Sequence, residues 1–168
     1  MSSAGDWNHR KAGQLSGDRD HREAQTDVDV ESFIYGYFEA WGGMDEDRIL
    51  SYYADNVTVR IPGTLMQGKS ALREHFVRPF ITAFPGNRHV VRNWFFGRNV
   101  LVAEWTIEAE HKGPFSGHPA SNAHVEVSAC GVYEYDSAKR QITAALIDFD
   151  VGTMLKRIID QARFSDRH

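Results

Sequence analysis

Residues 99–111, NVLVAEWTIEAEH, decide the fold class, because apolar and polar side chains alternate along them with a period of two. Ala103, Trp105 and Ile107 fall on one face and the glutamates on the other, which is typical of a half-buried strand. The same period recurs over residues 88–96, 124–135 and 141–150. We therefore expect four antiparallel strands, joined by a tight turn at Gly97-Arg98, a long irregular loop over 112–122 and a turn over 136–140.

Before residue 88 the apolar residues follow a helical period instead. The predicted elements are, in order, a helix from near Thr26 to Gly42, a short helix capped by Asp45, a strand over 57–61, a third helix capped by Ser70 and kinked at Pro79, and, after the four strands, a helix beginning near Met154. Helices grouped ahead of a run of antiparallel strands define the α+β class.

Composition narrows the class of protein. The 168 residues have 42% hydrophobic and 25% charged side chains and a net charge of −4, which suits one globular domain and disfavours nucleic-acid binding. Residues 1–26 are polar and Gly-rich, so we expect a flexible tail, followed by the domain over 27–164 and a short tail over 165–168. No apolar stretch suits a signal peptide or a membrane span, so we expect a cytoplasmic protein. The single cysteine, Cys130, is expected to be a buried, inert thiol.

Six segments carry a family resemblance in the right order. They are 38–57, 68–76, 84–85, 104–106, 111–117 and 150–155. Together with the order of elements, they resemble the SnoaL-like (polyketide cyclase-like) branch of the nuclear transport factor 2 superfamily over about residues 28–160. The resemblance implies a cone-shaped, mostly antiparallel sheet wrapped around the N-terminal helices and enclosing one apolar pocket. It also implies that no cofactor is needed, and that homodimers form through the outer face of the sheet.

The resemblance also suggests catalytic residues. In the cyclases an aspartate on the last strand is the acid/base group, which maps to Asp150, or a few residues earlier, where this chain has Ile147. The alternative is that Asp150 caps the following helix. Asp148 shares its strand face about 7 Å away, so the two carboxylates are either an acid and base pair or both solvent-facing. His89 and His111 are candidate proton shuttles, or else ordinary strand-end histidines.

Aromatic and aliphatic side chains are expected to shape the pocket. The predicted substrate-binding residues are Tyr37, Trp41, Phe80, Trp105, Ile107 and Phe115. In the related ketosteroid isomerases, a tyrosine at the position of Tyr37 donates to an oxyanion. The base and second acid of those enzymes are replaced here by Ile61 and Gly131, so that reaction is not expected. The histidine spacing matches no metal motif.

These observations favour a small cofactor-free enzyme that acts on a hydrophobic, carbonyl-bearing metabolite by acid/base proton transfer, leading to cyclisation or isomerisation. One alternative is a non-catalytic ligand-binding or dimerisation module of the same fold. The other is an epoxide hydrolase of the limonene-epoxide-hydrolase type, which the lack of an arginine on residues 103–108 disfavours. The expected partners are a small hydrophobic molecule and a second copy of the chain, with no nucleic acid and no membrane.

Overall fold

The structure is a computed structural model that describes the backbone of residues 17–165 and the side chains of residues 29–164. The elements are α1 (Gly17–Gly42), α2 (Glu46–Ser51), β1 (Tyr53–Ile61), β2 (Thr64–Gln67), α3 (Gly68–Leu72), a π-helical turn (Arg73–Val77), α4 (Arg78–Ala83), β3 (Arg88–Gly97), β4 (Val100–Glu110), β5 (His124–Asp136), β6 (Gln141–Phe149) and α5 (Val151–Ser165). The α+β class and the four-strand meander are as predicted.

Helix α1 begins at Gly17, well before the predicted start near Thr26. Residues 21–25 are His, Arg, Glu, Ala and Gln, most of which favour a helix, so the backbone continues in helical conformation through the predicted cap. The part of the proposed tail over residues 1–16 lies outside the described residues. From Val30 to Trp41, the apolar face of α1 is buried against the sheet.

The cap of α2 is as predicted, because the backbone N–H of Arg48 donates to the Asp45 carboxylate at 3.0 Å. Strand β1 begins at Tyr53 rather than at residue 57, because Tyr53 pairs with Ile142 of β6 as soon as α2 ends. The short strand β2 was not predicted. It pairs with β1 across the Pro62-Gly63 turn.

The third helix is divided into α3, the π-helical turn and α4. Ser70 does not cap it, because the helix already begins at Gly68. Pro79 has no N–H to donate to the carbonyl four residues earlier. The kink predicted at this proline takes the form of a π-helical turn just before it, closed by a hydrogen bond from the Arg78 N–H to the Arg73 carbonyl. This turn directs Phe76 into the interior.

The six strands form one curved, unclosed sheet in the order β2-β1-β6-β5-β4-β3. Among these described strands, β1 and β6 pair in parallel and the other neighbours are antiparallel. Buried and exposed residues alternate strictly along most of β5, so the inner face packs against the helices and the outer face is open. None of the helices in the described part of the chain is long and apolar enough to cross a membrane.

A row of exposed apolar side chains crosses the outer face at one level of the strand register. Its members are Leu65, Leu146, Val132, Val102 and Phe95, with Arg60 between the first two. The prediction of a buried thiol was wrong, since Cys130 is exposed on this same face. Strand alternation explains the error, because its neighbours Ala129 and Gly131 are the inward-facing residues.

Candidate ligand site

A small cavity lies between the inner face of the sheet and the helices. It has a volume of about 20 Å³, enough for one water-sized group. Seven aromatic side chains, one imidazole and two isoleucines line it: Tyr37, Phe38, Trp41, Phe76, Phe80, Trp105, Phe149, His89, Ile107 and Ile147. Among these described residues there is no carboxylate and no formal positive charge, so the cavity is an apolar chamber with very few polar groups.

The ring of His89 is enclosed by aromatic side chains in this cavity. Ring centroids lie 5.7 Å away at Trp41, 5.8 Å at Phe38 and 6.3 Å at Trp105. Both of its ring nitrogens are buried without a hydrogen-bond partner among the described residues. Burial lowers the pKa of His89 to about 3, because the apolar surroundings disfavour the charged imidazolium. The imidazole is therefore neutral at physiological pH, with one nitrogen able to donate and the other to accept.

Trp105 supplies the second polar group of the cavity. Its indole N–H is buried and likewise has no acceptor among the described residues. An indole N–H can only donate, whereas a neutral imidazole can do both. A buried donor left without a partner costs about 1–3 kcal/mol, so these two side chains favour a ligand that brings a hydrogen-bonding oxygen.

Asn87 fixes the start of β3 and thereby places His89. It is fully buried, and its side-chain amide donates to the carbonyls of Phe84 at 2.9 Å and Trp41 at 3.3 Å. These bonds tie the end of α4 and the end of α1 to the strand on which His89 lies. Asn87 was not among the predicted site residues, although a polar residue directly after the Pro85-Gly86 turn is a signal that the sequence contains.

Three buried tyrosines lie beside the cavity. The hydroxyls of Tyr37 and Tyr53 are 2.5 Å apart, and the ring of Tyr133 is 5.8 Å from that of Tyr37. Burial raises the pKa of all three phenols, so they are neutral at physiological pH. Gly131 makes room for this cluster, because a Cβ there would lie only 2.5 Å from the Tyr133 hydroxyl oxygen. The hydroxyl of Tyr37 is thus already engaged with Tyr53.

The register of β6 separates the predicted carboxylates from the cavity. Ile147 and Phe149 face inward and line it, whereas Asp148 is exposed on the outer face opposite Cys130. Asp150 is exposed as well, and its carboxylate accepts the Thr153 N–H at 2.8 Å as the N-cap of α5. This bond lowers the pKa of Asp150. The geometry matches the capping alternative for Asp150 and the solvent-facing alternative for both carboxylates.

His111 is fully buried, but it lies at the base of the loop over 112–123 and does not line the cavity. Its Nδ1 accepts the backbone N–H of Ser121 at 3.2 Å and lies 3.0 Å from the Ser121 hydroxyl oxygen. Its own backbone N–H donates to the Ala123 carbonyl at 2.9 Å. Burial lowers the pKa of His111. These contacts hold the two ends of the loop together.

A larger groove adjoins the cavity on the side of this loop. It has a volume of about 290 Å³. Phe115 lines it, on a tight turn in which the backbones of Phe115 and His118 exchange two hydrogen bonds. Ile61 also lines it, at the end of β1. Within the described residues, no group of three or more His, Cys, Asp or Glu side chains is placed to hold a metal ion.

The structure thus gathers six of the predicted site residues around one cavity: Tyr37, Trp41, Phe80, His89, Trp105 and Ile107. It places Phe115 in the adjoining groove. Asp148 and Asp150 lie together on the outer face of the sheet, and His111 lies at the base of the loop, so none of these three side chains lines the cavity. The lining residues that the sequence analysis did not select as site residues are Phe38, Phe76, Ile147 and Phe149. The sequence does contain patterns that include them. Phe38 and Phe76 belong to the apolar faces of α1 and of the third helix, and Ile147 and Phe149 belong to the alternating pattern of β6.

Fold and cavity together define a class: small α+β proteins in which a curved sheet and N-terminal helices enclose an apolar chamber, the NTF2-like proteins. The model of the SnoaL-like domain matches residues 34–144, about two thirds of the chain. This chain belongs to the SnoaL-like domain family. No curated protein matches the sequence.

Solved structures share the fold at low sequence identity. AclR of Streptomyces galilaeus, a proposed hydroxylase, is 13% identical with a TM-score of 0.69, covering 79% of this chain and 82% of its own. A proposed SnoaL-like polyketide cyclase from Jannaschia sp. CCS1 is 17% identical with a TM-score of 0.68, covering 80% and 92%. IdmH, a proposed polyketide cyclase from Streptomyces antibioticus, is 16% identical with a TM-score of 0.64, covering 76% and 96%. At these identities the likeness shows the fold, and the family membership points to a cyclase- or isomerase-like role.

Proposed function

We propose that this chain binds a small, largely apolar molecule through one carbonyl oxygen and promotes proton transfer next to that carbonyl, as a cyclase or isomerase requires. Trp105 would donate a hydrogen bond from its indole N–H to the carbonyl oxygen. A ring nitrogen of His89 would take a proton from the carbon next to the carbonyl and later return it. The observation that carries the proposal is a pair of buried polar side chains, His89 and Trp105, whose ring nitrogens have no hydrogen-bond partner among the described residues. The rest of the chamber is lined by apolar groups and the phenol of Tyr37.

The chemistry of the two side chains supports these roles. An N–H donor in a low-dielectric site stabilises the negative charge that develops on a carbonyl oxygen when the neighbouring carbon loses a proton. His89 is the most basic group among the lining residues, although its pKa of about 3 makes it a weak base in the free protein. An enolate formed beside the ring would raise that pKa, because an opposite charge a few ångströms away favours the imidazolium.

A second candidate function is ligand binding without catalysis. Two observations favour it: none of the described residues that line the cavity is a carboxylate, and the pKa of His89 is far below physiological pH. Efficient proton transfer needs a pKa close to the working pH. The two candidates share a binding step and differ in whether the bound carbonyl compound exchanges its α-protons.

Binding is tested by titrating the protein with 1-tetralone and with tetralin, which has the same rings without the carbonyl. Since Trp41 and Trp105 line the cavity, intrinsic fluorescence should report occupancy. We expect 1-tetralone to bind more tightly than tetralin. Trp105→Phe should lower the affinity for 1-tetralone roughly two- to tenfold, because it removes one hydrogen bond, and should leave the affinity for tetralin unchanged. Trp94→Phe, which removes an indole outside the cavity lining, is the matched control. Equal affinities for ketone and hydrocarbon would refute carbonyl recognition.

Catalysis is tested by following deuterium incorporation at the α-carbon of 1-tetralone in D₂O by NMR. The proposed enzyme should accelerate the exchange, and His89→Phe should abolish the acceleration while preserving the fold. Saturable binding with no acceleration would instead establish the non-catalytic module. Neither outcome depends on knowing the physiological ligand.

We also propose that the chain forms a homodimer through the outer face of the sheet. Exposed apolar residues normally occur singly, whereas here Leu146, Val132 and Val102 are direct cross-strand neighbours, 38–49% exposed. A two-fold axis through the centre of this row would pack the row of one chain against the same row of a second chain, as in a symmetric dimer.

A further inference from the structure

The cavity at His89 and the groove beside it share a wall of three phenylalanines. Phe76, Phe80 and Phe149 line both spaces. Their ring centroids form a triangle with sides of 5.9 Å, 6.4 Å and 6.4 Å. Of the described residues, these three are the ones that both linings share. A molecule that reached the inner cavity from the groove would therefore have to displace at least one of them.

The volumes of the two spaces are very unequal. The inner cavity of about 20 Å³ has room for a single oxygen atom and little else. The groove, at about 290 Å³, is close to the lower limit of pockets that hold whole small molecules. A ligand whose oxygen reaches Trp105 and His89 must therefore place the rest of its body in another space, and the groove is the adjoining one.

The lining of the groove suits a flat apolar body. Its apolar residues come from four separate segments: Ile61 and Pro62, Pro79, Pro114 and Phe115, and Val151, in addition to the shared phenylalanines. Its polar residues are Thr64, His75 and Ser116. No carboxylate or permanently charged side chain lines it among the described residues, so an ionic ligand would find no partner there.

Phe76 is the member of the wall best placed to move. It lies on the π-helical turn, where the regular helical hydrogen-bond pattern is interrupted, and it is 8% exposed against 3% for Phe80. Phe149 is more exposed than either ring, but it ends a strand whose backbone is paired with β5 and is therefore less free to move. The turn is held against α2 from outside by Arg73 and Arg78, which form ion pairs with Glu46.

We propose that the groove is the second half of the ligand site and that Phe76 is the gate between the two halves. The ligand class is then a flat apolar carbonyl compound of two to three rings, with the carbonyl at one end in the inner cavity and the rings in the groove. This inference rests on the proposed function for the position of the carbonyl, while the role of the groove can be tested separately.

The groove is tested with acetophenone, 2-acetylnaphthalene and 2-acetylanthracene, which carry the same acetyl group on one, two and three rings. We expect affinity to rise about tenfold with each ring, as apolar surface is removed from water. Phe115→Ala should lower the affinity for the three-ring ketone by about tenfold and that for acetophenone by less than twofold. His118→Ala, in the same loop but outside the groove lining, is the control. A flat affinity series, or an equal loss for all three ketones in Phe115→Ala, would overturn the role of the groove.

The gate is tested by stopped-flow association of 2-acetylnaphthalene, followed by tryptophan fluorescence. Phe76→Leu should raise both the association and dissociation rate constants about tenfold or more, with a much smaller change in Kd, because a gate affects entry and exit alike. Phe33→Leu removes a buried ring that lines neither space and should leave both rates unchanged. Association at the wild-type rate in Phe76→Leu would rule Phe76 out as the gate.

One comparison separates this inference from the function it rests on. If 2-ethylanthracene binds as tightly as 2-acetylanthracene while both still depend on Phe115, carbonyl recognition is refuted and the groove remains the ligand site. If the acetyl group strengthens binding through Trp105 but Phe115→Ala has no effect, the proposed function holds and the groove is excluded.

Discussion

Replacing His89 by phenylalanine should make the protein more stable and much less sensitive to acid. The imidazole is enclosed by aromatic rings, so a phenyl ring of similar size can take its place without opening a cavity. At pH 7 the substitution removes two buried nitrogens that have no partner among the described residues. We expect a gain of about 1–3 kcal/mol in the free energy of unfolding, the penalty of leaving such a group unsatisfied.

The effect of pH follows from the lowered pKa of His89. The folded protein binds a proton at this ring only near pH 3, whereas the unfolded chain does so near pH 6.5. Between these values the unfolded state holds one more proton, so the free energy of unfolding falls by about 1.4 kcal/mol for each pH unit of acidification. From pH 7.0 to 4.5 the loss attributable to His89 is about 2.5 kcal/mol.

Urea denaturation at pH 7.0, 5.5 and 4.5, followed by circular dichroism, measures this difference. Other groups also destabilise the protein at low pH, including His111, whose pKa burial lowers as well. The informative quantity is therefore the gap between the wild type and His89→Phe, which should widen by about 2–3 kcal/mol between pH 7.0 and 4.5. His124→Gln, which removes an exposed imidazole, should follow the wild type. If the free energies of unfolding of the wild type and of His89→Phe change equally with pH, the burial of an uncharged His89 is refuted.

Substitutions at three further positions test other features. Asp150→Asn should preserve both thermal stability and ketone binding, because asparagine caps a helix as well as aspartate does, whereas Asp150→Ala should lower Tm measurably; a large loss of α-proton exchange in Asp150→Asn would instead return this carboxylate to the mechanism. Gly131→Ala should destabilise the protein by about 1–3 kcal/mol in urea titrations, since the added methyl group would displace Tyr133, and an unchanged midpoint would contradict the close approach. Leu146→Glu should convert the proposed homodimer to a monomer in light scattering, with the control Glu126→Gln behaving as the wild type; a wild-type monomer at micromolar concentration would exclude the homodimer.

Much of the fold could be predicted from the sequence, because the helices and strands follow from the spacing of apolar residues within short segments. The strands over 88–97, 100–110, 124–136 and 141–149 lie within a residue or two of their predicted bounds, since the alternation of side chains persists through each. The cap at Asp45 was equally local. The short strand β2 was missed because a run of four residues carries too little alternation to be recognised.

The candidate site could be predicted only in part. Residues with a clear inward phase, such as Tyr37, Trp41 and Trp105, were placed in the pocket by their position on a helix or strand face. The alternating pattern was less informative for Asp148 and Asp150. It places both residues on one face of the strand but does not show whether that face is buried. The pairing of β6 with β5 decides this: Ile147 faces in and Asp148 faces out.

By itself, the sequence determined the α+β class, the four-strand meander and the aromatic character of the pocket, because each depends on patterns within about ten consecutive residues. Tertiary structure alone decided that His89 lies uncharged among aromatic rings, that His111 holds a loop, and that Phe76 separates a cavity from a groove. The surroundings of His89 and the wall at Phe76 depend on side chains from distant segments meeting in one place, and the contacts of His111 depend on how the two ends of a loop are brought together. The burial of His89, and the lowered pKa that results from it, depend on this long-range packing, so no local sequence pattern could predict them.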